Sequence, residues 1–220
     1  MSICKNKYEV AIEYSGPYAL FADPMSGSNK VSYPAPTKTA VRGIIGSVLY
    51  MTSVKIEPYK TEIMNNIEME DLQFNSRTWL RRDRNIKNDN ASQMTFTLLK
   101  NVRYRSYAWV SNRDPEVFYD HLSDKAKSYE KNKTNHAHSY KAQFDRRAKN
   151  GKYFRLPHLG LKKFAVDNFG PIKDPLEKPI GLTINIGPML TEMFDNDLDG
   201  NVKPDFSNNT RIKDGVIYYD

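Results

Sequence analysis

Residues 18–50, YALFADPMSGSNKVSYPAPTKTAVRGIIGSVLY, constrain the chain more than any other stretch. The first part ends at Asp23-Pro24, and a Gly/Ser/Asn tract from Ser26 to Asn29 leaves the backbone many conformations. Pro34 and Pro36 then hold the chain extended and bar a helix before them. Thr37 is a good N-cap, its hydroxyl placed to accept from an amide one turn on. Beyond it Ala40, Val41, Ile44, Ile45, Val48 and Leu49 recur at helical spacing, an amphipathic helix of about 13 residues with Lys38 and Arg42 near its start. Gly43 and Gly46 each cost such a helix about 1 kcal/mol against Ala. That predicts a neighbour packed against their face with no room for a Cβ. The free amides at the helix start, with two cations beside them, also suit a phosphate. The same spacing describes an ordinary strand, loop and core helix.

Upstream, Tyr8, Val10, Ile12 and Tyr14 alternate with Glu9, Ala11 and Glu13, a half-buried strand closed by Gly16-Pro17. Downstream, Val54, Ile56 and Ile63 predict another strand, which Pro58 breaks or confines to an edge. Residues 75–90 are polar and basic, with Arg77, Arg81, Arg82, Arg84 and Lys87 around Trp79, and read as an exposed hairpin or lobe. Residues 94–99 and 102–110 read as two strands turned at Lys100-Asn101. In the second, Val102, Tyr104, Ser106 and Ala108 share one face, and Arg103, Arg105, Tyr107 and Trp109 the other. Two arginines beside two aromatics can neutralise phosphate and stack bases, or simply cover a neighbouring strand.

Asp114-Pro115 opens a charged helix toward Lys131. Ala137, Tyr140, Phe144 and Ala148 predict a second helix, with Lys141, Arg146, Arg147 and Lys149 on its other side and Gly151 at its end. Pro157-His158-Leu159-Gly160 makes a turn, and residues 161–166 a strand carrying Lys162 and Lys163. From Gly170 the composition turns proline-rich and then acidic. A boundary near Asp167 therefore divides a main domain, 1–166, from a small C-terminal β extension, 167–220, with candidate strands at 182–186 and 216–219.

Charge narrows the function. The 220 residues carry a net +7, but residues 77–163 hold about 21 Lys/Arg against about 8 Asp/Glu, leaving the remainder acidic. Such segregation is the footprint of a polyanion binder, although a solubilising face gives the same count. Cys4 is the only cysteine, which excludes an internal disulfide and fits a reducing cytosol. MSICKNKYEV has no apolar run behind its lysines, and no stretch nears the roughly 18 apolar residues of a membrane span, so the expected location is the cytoplasm.

Neither a metal nor a cofactor is expected. One cysteine makes no zinc site, and His136 and His138 are the only close histidine pair. The run from Asp195 to Gly200 resembles the start of a calcium loop, but its twelfth position is Phe206 where a glutamate is needed, and Pro204 lies inside it. The chain has no P-loop, no nucleophile elbow and no paired-carboxylate motif.

The order YALF-DP, polar loop, SYPAPT and A-RGIIGSV resembles the N-terminal signature of the Cas-five family, in the RAMP superfamily. LLKNVRYRSYA, FDRRAKNGKYF and PHLGLKKF are similar to blocks of its subtype I-C branch, and the likeness keeps its order from Tyr8 to about Ile217. The resemblance implies an α+β, ferredoxin-like (RRM-like) domain. It implies a subunit of the type I CRISPR surveillance complex, Cascade, that binds the repeat-derived 5′ handle of crRNA. Its partners would be the backbone and large subunits, with target DNA met indirectly.

It also implies metal-independent cleavage of pre-crRNA. Such cleavage needs a base for the 2′-OH, an acid for the departing 5′-oxygen and a cation for the phosphorane. The family places a tyrosine near the end of the first helix and a Lys-His pair further on. The tyrosine position falls at Leu49, one residue and about 100° of helix before Tyr50. The Lys-His position falls at Ser139-Tyr140, between His138 and Lys141. The candidate catalytic residues are Tyr50 as base or positioner, His138 as acid and Lys141 as charge partner. The candidate RNA contacts are Lys38, Arg42, Arg103, Tyr104, Arg105, Tyr107, Arg146, Arg147, Lys162 and Lys163. Two other functions fit the same residues: a non-catalytic RNA-binding capping subunit of the complex, and an RRM-like RNA binder with no CRISPR role.

Overall fold

The computed structural model describes residues 7–23, 26, 29–49, 55–77, 91–111, 116, 119–120, 123, 158–160, 164, 166–180, 194–196, 202–204 and 210–219. Their architecture is mixed and dominated by one nine-stranded sheet. Strand β1 (Lys7–Ala19) buries Val10, Ile12 and Tyr14 on one face, as the alternation dictates. It does not stop at Gly16-Pro17. Ser15 accepts from the Asp167 amide on the strand's outer side. Pro17, two residues on, points its nitrogen the same way, beyond the last rung on that side, so the missing N–H breaks no ladder bond.

After β2 (Phe21–Ala22) and β3 (Lys30–Tyr33), which pair with each other, comes the single helix with a fully described span, α1 (Lys38–Leu49). The Thr37 hydroxyl accepts from the Ala40 amide at 3.2 Å, the expected cap. Strand β4 (Ile56–Ile63) contains Pro58, and its register against the next strand shifts between Pro58 and Lys60. This bulge turns both Tyr59 and Lys60 to the outer face.

The two strands expected over 94–99 and 102–110 are one, β6 (Ala91–Ser111). Asn101 takes φ +52°, a conformation asparagine tolerates, and the strand bends there instead of turning back. Asn65 braces the bend, donating to the Asn101 carbonyl and accepting from the Arg103 amide. The first half of β6 pairs with β5 (Glu68–Arg77), whose last rung joins Arg77 to Ala91. The two ends of the basic stretch thus meet as in a hairpin, and residues 78–90 lie outside the described set. The second half of β6 is central, with β1 on one side and β4 on the other.

Short β7 (Asn168–Gly170) continues the sheet beyond β1, giving the order β7-β1-β6-β4, antiparallel at each step. At the other edge β10 (Thr210–Lys213) and β11 (Val216–Tyr219) follow β4. Asp214 and Gly215 both have positive φ, the two-residue turn that an Asp-Gly pair favours. Strands from beyond Asp167 therefore complete the main sheet on both sides. Residues 195 and 196 belong to β8 (Phe194–Asn196), which pairs with β9 (Val202–Pro204) in a separate two-stranded ribbon. Among the described residues, no helix is long and apolar enough to cross a membrane.

Val41, Ile44 and Ile45 of α1 close the core over Val10, Ile12, Ile56, Tyr104 and Ala108. A buried chain of hydroxyls fixes where the helix starts. Tyr104 donates to the Pro34 carbonyl at 2.8 Å and Tyr219 to the Pro36 carbonyl at 2.6 Å. From Tyr219 the chain continues through Thr61 and Ser106 to Tyr14. Burial pushes the Tyr14, Tyr104 and Tyr219 phenols above their ordinary range, so they stay neutral.

The expectation of a close neighbour at Gly43 and Gly46 is corrected. A Cβ at Gly43 meets nothing within 4 Å, and one at Gly46 meets only the Ile56 Cδ1 at 3.5 Å, an ordinary contact. Gly43→Ala should therefore raise stability by about 0.5–1 kcal/mol, read by urea denaturation, because it removes backbone freedom from the unfolded chain without a clash.

Candidate nucleic-acid interface

The core face of β1, β4 and β6 is consumed by packing, so the opposite face is the one on which these strands display charged and aromatic side chains. Three rows meet there in register: Glu9, Ala11 and Glu13 of β1; Trp109, Tyr107, Arg105 and Arg103 of β6; Glu57, Tyr59, Lys60 and Glu62 of β4. The face divides into an ionic half and an aromatic half.

The ionic half is a closed cluster. Arg103 donates to Glu13 and grips the Glu177 carboxylate through both terminal nitrogens, at 2.8 and 2.7 Å. Arg105 is 1% exposed and donates to Glu13, to Glu177 and to the carbonyls of Asp174 and Glu177. Asp174 shapes the turn that presents Glu177 by accepting from the Leu176 amide. The Ile180 amide then donates to the Ile63 carbonyl, docking residues 174–180 on the sheet. Glu177 first, then Glu13, raises the pKa of Arg103 further above its already high value.

The aromatic half is open. Tyr59 stacks on Trp109 with centroids 5.8 Å apart and lies 6.2 Å from Tyr107. Lys60 Nζ stands 4.0 Å over the Tyr107 ring while pairing with Glu62. The phenols of Tyr59 and Tyr107 donate to Glu9 and Glu62. Burial, and then the Glu62 charge, pushes the Tyr107 phenol up to about 12; burial and then the Glu9 hydrogen bond raise Tyr59 as well. Both remain neutral donors at physiological pH.

Lys7 and Lys55 share the Glu57 carboxylate. Their hydrogen bonds, that of Lys55 foremost, lower the Glu57 pKa to about 2. The folded value lies below the unfolded one, so this stabilisation is present above the unfolded pKa of about 4.3 and is lost as pH falls toward 2. Solvent screens an exposed pair, so Glu57→Gln should cost under about 1 kcal/mol at pH 7. Parallel melts should show the difference vanishing by about pH 2.

The described cations do not form one trough. Lys38 and Arg42 belong to α1 on the core side, where Arg42 Nε donates to the Ile56 carbonyl. Arg103 and Arg105 lie on the other side, held by carboxylates. Tyr104 is fully buried in the core and does not reach a bound polymer. Among the described members of the expected set, Tyr107 alone joins the aromatic group that contains the exposed Trp109. Tyr50, His138, Lys141, Arg146, Arg147, Lys162 and Lys163 fall outside the described residues. Sequence reading missed Glu13 and Glu177, which neutralise the arginines, because charge matching between residues so far apart leaves no local pattern. It missed Tyr59 and Lys60 because strict alternation cannot anticipate a bulge, although Pro58 marks where one forms.

Comparison with known proteins adds the relationship. The family model described as CRISPR-associated protein (Cas_Cas5) matches residues 10–167. The CRISPR pre-crRNA endoribonuclease Cas5d of Thermus thermophilus is 27% identical over 179 residues, 81% of this chain and 70% of that protein. Two solved structures share the fold over 98% of this chain and 94% of their own. One is a CRISPR-associated protein, with 18% identity and a TM-score of 0.55. The other is a functionally uncharacterized protein from Streptococcus mutans, with 19% identity and a TM-score of 0.56. With the family model spanning everything from the first third of β1 to the residue before β7, the chain belongs to the Cas5 family of CRISPR-associated proteins.

Proposed function

We propose that this chain binds the repeat-derived 5′ handle of crRNA as a subunit of a type I-C surveillance complex in the cytoplasm. The observation that carries the reading is the Cas5 match over residues 10–167, joined to a relative named for pre-crRNA cleavage. The order β7-β1-β6-β4, with α1 between β1 and β4 in sequence, supports a ferredoxin-like core. Since Arg103 and Arg105 are satisfied by carboxylates, the phosphate contacts are assigned to Arg146, Arg147, Lys162 and Lys163, with Lys38 at the start of α1. The backbone and large subunits of the complex are the proposed protein partners.

Cleavage without metal or cofactor is assigned to Tyr50, His138 and Lys141. The test is incubation of the pure protein with repeat RNA in EDTA. A discrete product is expected, slowed about 100-fold or more by His138→Ala or Tyr50→Phe, the scale of general acid–base catalysis. Tight binding with no product, unaltered by Tyr50→Phe, selects the non-catalytic capping subunit instead. That second reading is favoured by the family's tyrosine and Lys-His positions falling on Leu49 and Ser139-Tyr140. Absence of both binding and product overturns the two together.

A further inference from the structure

Trp109 is 40% exposed near the C-terminal end of β6, while Ala108 and Val110 on either side of it are fully buried. Its indole lies between Glu9 and Glu57 in register and is stacked on Tyr59 at an interplanar angle of 27°. The geometry points to a stacking site for one unpaired nucleobase on the Tyr59–Trp109 ledge, an inference that rests on the RNA-binding reading above.

Three observations choose that occupant. The rings are held in place before any ligand arrives: the Tyr59 phenol is tied to Glu9, the Tyr107 phenol to Glu62, and Lys60 lies over the Tyr107 ring. A fixed flat surface loses little entropy when a second ring lies on it. The charges are arranged around the ledge and not on it. Glu9 repels a phosphate placed over Tyr59 and Glu62 is paired with Lys60, whereas Lys7 and Lys55, each with a half-exposed side chain, share one carboxylate at the Trp109 end. Glu9 flanks the indole on its other side, so the charges around it sum to zero, and the phosphate of a stacked nucleotide would lie toward Lys7 and Lys55. Finally, stacking on an aromatic ring accepts any base, because every base has a π face.

The sequence supplies a direct probe. Trp79 and Trp109 are the only tryptophans, so full-length Trp79→Phe protein emits from Trp109 alone. Titration with single-stranded oligoadenylate and with repeat RNA should quench that emission saturably, in step with the anisotropy of labelled RNA. Trp109→Leu should weaken binding about tenfold, and Tyr59→Leu somewhat less, while Trp109→Phe keeps most of the affinity and controls for folding. RNA bound by anisotropy, with Trp109 emission and Trp109→Leu affinity both unchanged, overturns the ledge and leaves the RNA-binding reading intact. No binding of any RNA overturns both. Emission that shifts with protein concentration alone shows a second copy covering the ledge and overturns the inference as well.

Discussion

Gly160→Ala is expected to lower stability by about 3 kcal/mol or more, or to prevent folding. A Cβ built there lies 1.7 Å from the Leu20 carbonyl oxygen, and φ is +85°, which side-chain-bearing residues rarely adopt. The obstacle is backbone, so no rotamer change relieves it. Nor can Leu20 move freely, because its amide bonds to the Leu159 carbonyl at 3.1 Å. Leu159, fully buried, donates in turn to the Phe164 carbonyl. The segment 158–160 is thereby clasped to the junction of β1 and β2. Thermal or urea denaturation of Gly160→Ala beside Gly43→Ala makes the comparison internal: the same substitution should be severely destabilising at one site and stabilising at the other. Wild-type stability in Gly160→Ala would contradict the close approach of these two backbones.

Arg105→Ala is expected to cost about 3–5 kcal/mol, the scale for breaking a buried ion pair by removing one partner. Glu13 loses a partner at 2.8 Å, and the carbonyls of Asp174 and Glu177 lose their donor. Since small proteins are stable by only about 5–15 kcal/mol, this is a large fraction of the total. Arg103 and Glu177 are each about a third exposed, so Arg103→Ala and Glu177→Gln should cost clearly less. Limited proteolysis should show cleavage near residues 174–180 in Arg105→Ala before the rest of the sheet is lost. Unchanged stability would mean that the cluster does not fasten this segment.

Local chemistry was legible in the sequence and long-range geometry was not. The alternation of Val10, Ile12 and Tyr14, the Thr37 cap and the apolar stripe of α1 each follow from residues within a turn or a strand of one another. The strand break at Gly16-Pro17 failed because proline's cost depends on which side its nitrogen faces, and pairing partners decide that. The turn at Lys100-Asn101 failed because asparagine serves a bend as readily as a turn. At the site, Arg103 and Arg105 were read correctly as outward from the core. Their engagement depended on Glu13, 90 residues upstream of Arg103 on the neighbouring strand, and on Glu177, in a segment about 70 residues downstream that folds back over them. β5, with acidic Glu68, Glu70 and Asp71 and no clean alternation, carried no strand signal of its own.

The central claim is recognition of a CRISPR repeat, and the most direct measurement is anisotropy of labelled repeat RNA against a scrambled RNA of equal length across a salt series. Tighter binding of the repeat is predicted, with log affinity falling linearly with log salt by about 0.7 for each phosphate contacted. Arg147→Ala should reduce that slope by just under one unit, whereas Arg103→Ala, whose guanidinium is already taken by carboxylates, should leave it unchanged. Equal affinity for the two RNAs, or no binding at moderate salt, would contradict the account.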